Sequence, residues 1–407
     1  MLLVYKPYIY YAAYTQAFCL MRCFPTISDL FEYLFHIHIA IPIQTFGFFV
    51  AMAFILSYQV FRSELKRKER DGDIQAIKRE VVVNRSSLSI ELCLNGLLGF
   101  LLGFKILGAL LNYEAFKVDP AKYIFSLQGS IIAGLLCAIG YMYWIYKDRK
   151  SSQNNTRTTE TIHPYQLMGK IVFYAGFWGF IGAKLFDMAD YLYQHGFTSL
   201  HDIIFSSGVT YYGGFLFGML AYFYVGLRNG MKLPYISDMG APGIMLAYAI
   251  GRIGCQLSGD GDWGIVNTHA KPNWLNWLPD WMWAFNFPHN ILNQNTRIPD
   301  CYGSYCYQLS KGVYPTSFYE TVICLLLFLF LWMIRKHLTV PATISYVYLI
   351  LSGTERYFIE NIRINPRYHF GSLNLSQAQI ISLGMILVGI GGIIYLYLVK
   401  PKLHTLT

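Results

Sequence analysis

The chain has 407 residues, 55% of them hydrophobic, 17% aromatic and only 14% charged. A soluble domain carries about 25% charged residues, so this composition excludes disorder, collagen and a disulfide-stapled mini-protein and argues against a soluble enzyme. The net charge of +9 would suggest nucleic acid in a soluble chain; in a membrane chain the first question is which side those charges occupy.

Residues 1–39 read as an extracytoplasmic flap, with Lys6 but no short apolar run ending in a small-residue cleavage site. A helix needs about 20 apolar residues to cross the hydrocarbon core. Nine segments answer to that in order: 40–61, 88–112, 128–146, 166–186, 209–227, 236–257, 319–334, 342–359 and 378–398. The expected fold class is all-α, a polytopic integral membrane bundle of about nine transmembrane helices occupying 40–407. The loops 62–85, 147–157, 228–232, 335–336 and 400–402 together hold eighteen Lys and Arg, and the alternate loops between spans hold seven. The bias puts the first set in the cytoplasm, the N-terminus outside and the C-terminus inside. The basic excess is then topogenic, and nucleic acid drops out as a partner. The polar run 148–161, DRKSSQNNTRTTET, reads as a flexible cytoplasmic linker. The segment 258–318 is a long extracytoplasmic loop whose Trp-rich stretch, WLNWLPDWMWAF, suits an interfacial cover. Cys301 and Cys306 in that loop could pair on an oxidising side. No second CxxC-like partner builds a zinc site, and neither a metal nor a cofactor is expected.

Two stretches read alike. Residues 88–150 contain GFLLGFKILGALLNYEAF and then IFSLQGSIIAGLL; residues 166–232 contain GFWGFIGAKLFDMADYLYQHGF and then IFSSGVTYYGGFLFGML. Each has a glycine-rich helix with one lysine (Lys105, Lys184), an aromatic exit, an I-F-S motif, a second span opening on glycine, and a basic end. The shared order points to one duplicated hairpin.

A membrane span tolerates a charge only if it is paired, hydrated or functional. Four polar groups stand out, and all fall at the outer ends of spans. One is Gly251-Arg252-Ile253-Gly254-Cys255, leading through Ser258 into the turn Gly259-Asp260-Gly261-Asp262-Trp263-Gly264. Glycines let such a turn bring backbone N–H groups and an arginine to one anion; the plain alternative is a capped helix end with an Arg–Asp pair. The second is Glu355-Arg356, Glu360 and Arg363, where helical spacing puts 356, 360 and 363 on one face. The third is Tyr314-Pro315 through Tyr319-Glu320, with Pro315 opening a helix and Glu320 suited to its positive end. The fourth is Thr210-Tyr211-Tyr212-Gly213-Gly214. Three arginines at one membrane level suggest a phosphate, since guanidinium grips phosphate bidentately, and hence a phospholipid head group. A lipid-modifying transferase and a lipid transporter or binding scaffold both fit. Transporters place sites at the midplane between inverted repeats; here the repeat runs in one orientation and the charges cluster at the outer face, which favours an enzyme opening onto the surface.

These four groups in this order resemble the prolipoprotein diacylglyceryl transferase family. Its pattern has a Gly-Gly pair opening a span, a G-R-[IL]-G signature ending in an acidic-Gly turn, a P-x-x-x-Y-E start of a span and an R-x-x-x-E-x-x-R helix. Here they are Gly213-Gly214, residues 251–264, residues 315–320 and residues 356–363. The resemblance covers about 165–399 and the first span. The family usually has seven spans, so the hairpin 88–147 is extra.

The resemblance implies a reaction at the outer face of a bacterial cytoplasmic (inner) membrane. A diacylglyceryl group would pass from phosphatidylglycerol to the lipobox cysteine in a prolipoprotein signal peptide. It implies that Arg252, Arg356 and Arg363 hold the phosphate, that Glu360 orients them, and that Asp260 or Asp262 handles a proton or positions arginine. Gly213, Gly214, Gly264, Tyr319 and Glu320 would line the substrate site. The chain also departs from the pattern. Tyr212 stands where the family has histidine, Cys255 and Ser258 where it has asparagine, Tyr314 where it has histidine, and Ser352 and Phe46 where it has tyrosine. Loss of the histidine removes the usual base, leaving Tyr212 in its place, and admits a divergent paralogue that binds or transports phospholipid or modifies another acceptor.

Overall fold

The fold is that of a computed structural model describing residues 22–37, 43–81, 88–113, 116, 123, 128–151, 158–197, 210–370 and 373–399. It is mainly helical. In chain order come α1 (Ile27–Phe35), α2 (Thr45–Arg70), β1 (Ile77–Val81), α3 (Leu88–Leu102), α4 (Ile131–Ser151), β2 (Thr158–Ile162), α5 (Met168–His195), α6 (Tyr211–Arg228) and α7 (Leu233–Ser258). Then follow β3 (Thr296–Arg297), β4 (Tyr307–Gln308), α8 (Thr316–Ile334), α9 (Thr343–Ile359), β5 (Arg367–Phe370), β6 (Leu373–Ser376) and α10 (Gln377–Ile394).

Each of the nine apolar segments coincides with a helix from α2 to α10. Among the described residues, four helical stretches are long and apolar enough to cross a bilayer: Thr45–Arg70, Pro164–Tyr193, Thr316–Ile334 and Gln377–Leu398. Their outward residues are large and apolar, among them Phe54, Phe173, Leu326 and Leu387, as a lipid-facing helix requires. The chain is therefore a helical membrane protein. The remaining helices fall short by the same measure for visible reasons. α9 is short and carries Glu355-Arg356 in its last turns, α7 carries Asp238 and Arg252, and α6 is diluted by tyrosine and glycine.

The chain divides into two compact units. One comprises Thr26–Thr45 and Lys78–Thr161. In it α1 starts on a capping box: Asp29 N donates to Thr26 Oγ1 (3.3 Å) and Thr26 N donates to Asp29 Oδ2 (3.0 Å), satisfying two otherwise orphaned donors. α3 continues through a π-turn (Gly103–Leu107) and packs on α4. The approach is close: a Cβ on Gly99 would sit 3.0 Å from Cys137 O, and one on Gly108 would sit 2.7 Å from Ser130 N. Ser130 N donates to Phe104 O (3.1 Å), and Lys105 Nζ donates to the carbonyls of Tyr123 and Gln128, both at 2.9 Å. The polar run 148–161 is ordered at both ends, contrary to the linker expectation. α4 runs on to Ser151, and the threonine-rich 158–162 forms β2 and pairs with β1, since β-branched residues suit a pleated strand. Residues 152–157, both I-F-S motifs and the first 21 residues of the expected flap lie outside the described residues.

The other unit comprises Met1–Pro25, Phe46–Ile77 and Ile162–Thr407. α5 and α6 form a tight hairpin: Thr210 N donates to Ala183 O (3.2 Å), and Gly179, Gly182, Gly213 and Gly214 face one another across the seam. α7 packs on α8 and α9, and α9 packs on α10, where Cβ atoms on Gly353 and Gly389 would each lie 2.8 Å from a carbonyl of the facing helix. Met245, Ala249, Cys324, Leu331 and Ile344 fill the core between α7, α8 and α9. At one end of these helices Asp238 caps α9, accepting from Ala342 N (2.7 Å) and Ser345 N (2.9 Å), while Glu64 on α2 takes Arg335 Nε at 3.0 Å.

Beyond the other end, residues 259–315 have their own small core of Trp263, Trp281, Phe285, Phe287, Leu309 and Val313. Phe285 and Val313 exchange backbone hydrogen bonds (2.9 and 3.0 Å), and Cys301 and Cys306 form a disulfide. Cys23 and Phe24 of the N-terminal segment are buried, Cys23 N donating to Pro288 O of this loop (2.7 Å) and Phe24 N to Leu257 O at the end of α7 (2.6 Å). The tryptophans divide: Trp281 packs inside the loop, and Trp274 and Trp277 stand exposed.

Candidate functional site

The ends of α7, α8 and α9 carry one connected cluster of charges. Glu320, one turn into α8, is fully buried and sits at its centre. Arg252 Nε from α7 lies 3.0 Å from its Oε2, Arg356 Nη1 from α9 donates to Oε1 at 2.8 Å, and Arg363 Nη1 reaches both oxygens at 3.3 Å. Tyr248, one helical turn before Arg252, donates its hydroxyl to Oε1 at 3.0 Å, and the Arg252 guanidinium lies over the Tyr248 ring at 4.9 Å. A second carboxylate, Asp262, ion-pairs with Arg252 through one oxygen and with Arg363 through the other. Glu360 Oε2 lies 3.1 Å from Arg356 Nη2, and its other oxygen accepts from Asn365 Nδ2 at 2.6 Å. Three guanidinium groups therefore meet three carboxylates in a region largely removed from water.

The chain after α7 brings Asp262 here. Gly259 (φ 64°) ends the helix in the left-handed region, and Gly261 (φ 100°) turns the chain back, conformations that cost a side-chain-bearing residue strain. The Asp262 carbonyl is then clamped by Thr316 Oγ1 (2.8 Å) and Ser317 Oγ (2.7 Å). Gly264 threads between two backbones, with its N–H on Tyr314 O (2.9 Å) and the next N–H on Ile362 O (2.8 Å). A Cβ at 264 would meet Ile362 O at 2.5 Å, so only glycine passes.

Of the residues singled out from the sequence, Arg252, Arg356, Arg363, Glu320, Glu360 and Asp262 come together. Arg363 arrives differently from the expected single helical face. α9 stops at Ile359, a 3₁₀ turn follows over Glu360–Ile362, and Arg363 is extended (φ −91°, ψ 156°), bridged to Gly264. Asp260 is adjacent, accepting from Asp262 N at 3.4 Å. Tyr319 is turned elsewhere, its hydroxyl on Met282 O (2.8 Å) in the Trp-rich loop. Gly213 and Gly214 serve the close approach of α6 to α5. Tyr212 is in the first turn of α6, and its side chain lies outside the described residues. Two contributors were not singled out: Tyr248, and the Thr316/Ser317 hydroxyl pair.

The two aspartates of the turn are driven apart in acidity. Burial raises the Asp262 carboxyl, but Arg252 and Arg363 outweigh it and hold it down at about 2. Burial and then the charge of Asp262 push Asp260 above the ordinary carboxylate value. A pair of carboxyls separated this way is a usual assignment of stabiliser and proton carrier. Cys255, Asp260 and Asp262 also lie close enough to offer ligands to one metal ion, but both Asp262 oxygens are already engaged by arginines, so that donor set is not free. The depressed acidity has a consequence. Stability drawn from Asp262 ionisation is complete above the unfolded value of about 3.9 and is lost as pH falls towards 2. Acid titration of the detergent-solubilised protein, followed by the fluorescence of the neighbouring Trp263, should show a transition in that window that is flattened in Asp262→Asn. A transition unchanged by the substitution would contradict the pairing.

Comparison with known proteins places the chain in a family. A family model for prolipoprotein diacylglyceryl transferase matches residues 122–395, reaching back into the first hairpin. The chain is 29% identical over 226 residues to the phosphatidylglycerol–prolipoprotein diacylglyceryl transferase of Staphylococcus carnosus (strain TM300), covering 55% of this chain and 73% of the relative. It is 30% identical over 205 residues to the protein of that name in Lysinibacillus sphaericus (strain C3-41), covering 50% and 67%. With the protein of that name in Staphylococcus haemolyticus (strain JCSC1435) it shares 26% over 291 residues, covering 70% and 89%. The matched region contains the whole arginine–carboxylate cluster, and the chain belongs to the prolipoprotein diacylglyceryl transferase family.

Proposed function

We propose that this chain transfers the diacylglyceryl group of phosphatidylglycerol to the thiol of a prolipoprotein cysteine, at the outer face of a bacterial cytoplasmic membrane. The observation that carries the reading is the convergence of Arg252, Arg356 and Arg363 on Glu320 beside Asp262. In the reaction the cysteine sulfur forms a bond to the terminal glyceryl carbon as that carbon's bond to the phosphate oxygen breaks. The bonding electrons leave with glycerol phosphate. Fixed guanidinium groups stabilise charge gathering on the leaving oxygen, and they do so best where water is excluded. Thiolate is the nucleophile, and Asp260, whose carboxyl has a raised proton affinity, is our choice to accept the thiol proton. No metal or cofactor enters this scheme.

The topology belongs to the same proposal: nine spans, N-terminus outside, the cluster on the outer side. Membrane-impermeant thiol labelling of single cysteines placed at 268 and 230 tests it, with only the first expected to react in intact cells. We also infer that α3–α4 and α5–α6 descend from one copied hairpin. The support is the matching backbone bond before each lysine, Ser130 N to Phe104 O and Thr210 N to Ala183 O. Loss of transfer on excising residues 82–157 would count against a dispensable copy.

The functional experiment is restoration of lipoprotein maturation in cells depleted of their own transferase. Maturation restored by this chain and not by Arg252→Ala supports the transferase. Tyr212 in place of the family histidine favours a second reading, a paralogue that binds phospholipid without transferring it. That reading expects no maturation while phosphatidylglycerol binding still depends on the arginines.

A further inference from the structure

Asp262 differs from the other carboxylates of the cluster. Its side chain keeps 33% of its accessible surface, against 0% for Glu320 and 1% for Glu360. It is the member of the set that an incoming solute or lipid head group can reach. It also spans two guanidinium groups, one oxygen on each, which is how a phosphate would be expected to sit between them. Arg252 and Arg363 do not depend on it for their placement, because each is also held by Glu320. The main chain at 262 does not depend on the carboxylate either, since the hydroxyls of Thr316 and Ser317 grip its carbonyl. The side chain can rotate away without moving the turn or the arginines.

Charge points the same way. The three guanidinium groups are matched one for one by Asp262, Glu320 and Glu360, the carboxylates that touch them. If Asp262 leaves, the paired set carries one net positive charge. A phosphodiester carries one negative charge and restores the balance. A phosphomonoester carries nearly two near neutral pH and overshoots it. Asp260, next to the turn, adds a repulsive charge when ionised and opposes the doubly charged product most.

We propose that Asp262 is an internal competitor for the phosphate. Its carboxylate occupies the Arg252–Arg363 anion position, gives it up to the phosphodiester of the lipid, and retakes it as the glycerol phosphate leaves. Asp262 is on this view a specificity-setting and release residue that sets the affinity of the site for anions. The inference rests on the transferase reading for its cycle but not for its binding step.

The test uses the full chain in nanodiscs of phosphatidylcholine doped with phosphatidylglycerol. Asp262→Asn keeps the main-chain clamp and removes the charge. It is expected to bind phosphatidylglycerol about tenfold more tightly, to bind glycerol 1-phosphate in solution more tightly by a larger factor, and to lower KM together with kcat as product release slows. Arg252→Gln, as control, loses both kinds of binding. Phosphatidylglycerol binding that is unchanged or weakened in Asp262→Asn overturns the proposal, with Asp262→Ser as the second variant should the first fail to fold. Tighter lipid binding without tighter glycerol 1-phosphate binding overturns the release step. If no variant transfers lipid yet Asp262→Asn binds more tightly, the competitor stands and the transferase reading falls.

Discussion

Glu320→Ala is expected to abolish transfer and to destabilise the protein more than any other single change in the cluster. Glu320 is fully buried and is the common partner of three arginines and Tyr248. Removing one partner of a buried ion pair costs about 3–5 kcal/mol, because the charge left behind is uncompensated. Here the remaining positive charges would also repel one another in surroundings of low dielectric. Transfer should fall by about a thousandfold or more, the scale of losing several electrostatic contacts at once. Glu320→Gln keeps the shape and an acceptor for Tyr248 but not the charge, so it should unfold less and still lose most activity. Thermal unfolding in detergent together with the transfer rate checks both parts. A stable and active Glu320→Ala protein would remove Glu320 from the centre of the site.

The second large effect is expected at Arg252. Its guanidinium faces two carboxylates and lies over the Tyr248 ring, so in the proposed reaction it would both donate to the phosphate and form a fixed element of the wall. Arg252→Ala should lower kcat/KM by about 10²–10³ or more, corresponding to about 3–4 kcal/mol of lost transition-state stabilisation. Arg252→Lys should recover little, because an ammonium cannot reproduce contacts aimed at two different carboxylates from fixed positions, or the contact over the Tyr248 ring. Recovery to within about tenfold of wild type would mean that Arg252 supplies charge alone. Because Glu320 and Asp262 would still be held by Arg363, the alanine variant should remain folded, which separates its loss of activity from that of Glu320→Ala.

Part of the architecture could be read from hydropathy alone: each of the nine apolar segments falls on helix, and four helical stretches among the described residues are long and apolar enough to cross a bilayer. α2 starts at Thr45 and runs on to Arg70, well past the apolar stretch, because its charged second half finds local partners in Glu64, Asp71 and Asp73. The site was legible through its charges, since an arginine beside an apolar run demands a reason. What spacing could not provide was who meets whom. Arg363 looked like the third residue of one helical stripe and instead reaches the cluster from extended chain. Glu320 looked suited to its own helix end, yet its partners come from residues 36 to 72 positions away in sequence, distances set by packing alone. The signal was present, because Glu320 is the only acidic residue in α8. Tyr248 also carried one, lying a single turn before Arg252. Gly213 and Gly214 were read through the family pattern as substrate contacts, and the structure gives them a packing duty against Gly179 and Gly182.

The most direct measurement follows a diacylglyceryl-labelled phosphatidylglycerol in vesicles containing the purified chain and a synthetic lipobox peptide with one cysteine. Label should move to the peptide thiol with one glycerol phosphate released per peptide modified, and Arg252→Ala should show neither. Failure of the folded wild-type chain to move label, or transfer by Arg252→Ala at the wild-type rate, would contradict the assignment of this cluster as a diacylglyceryl transfer site.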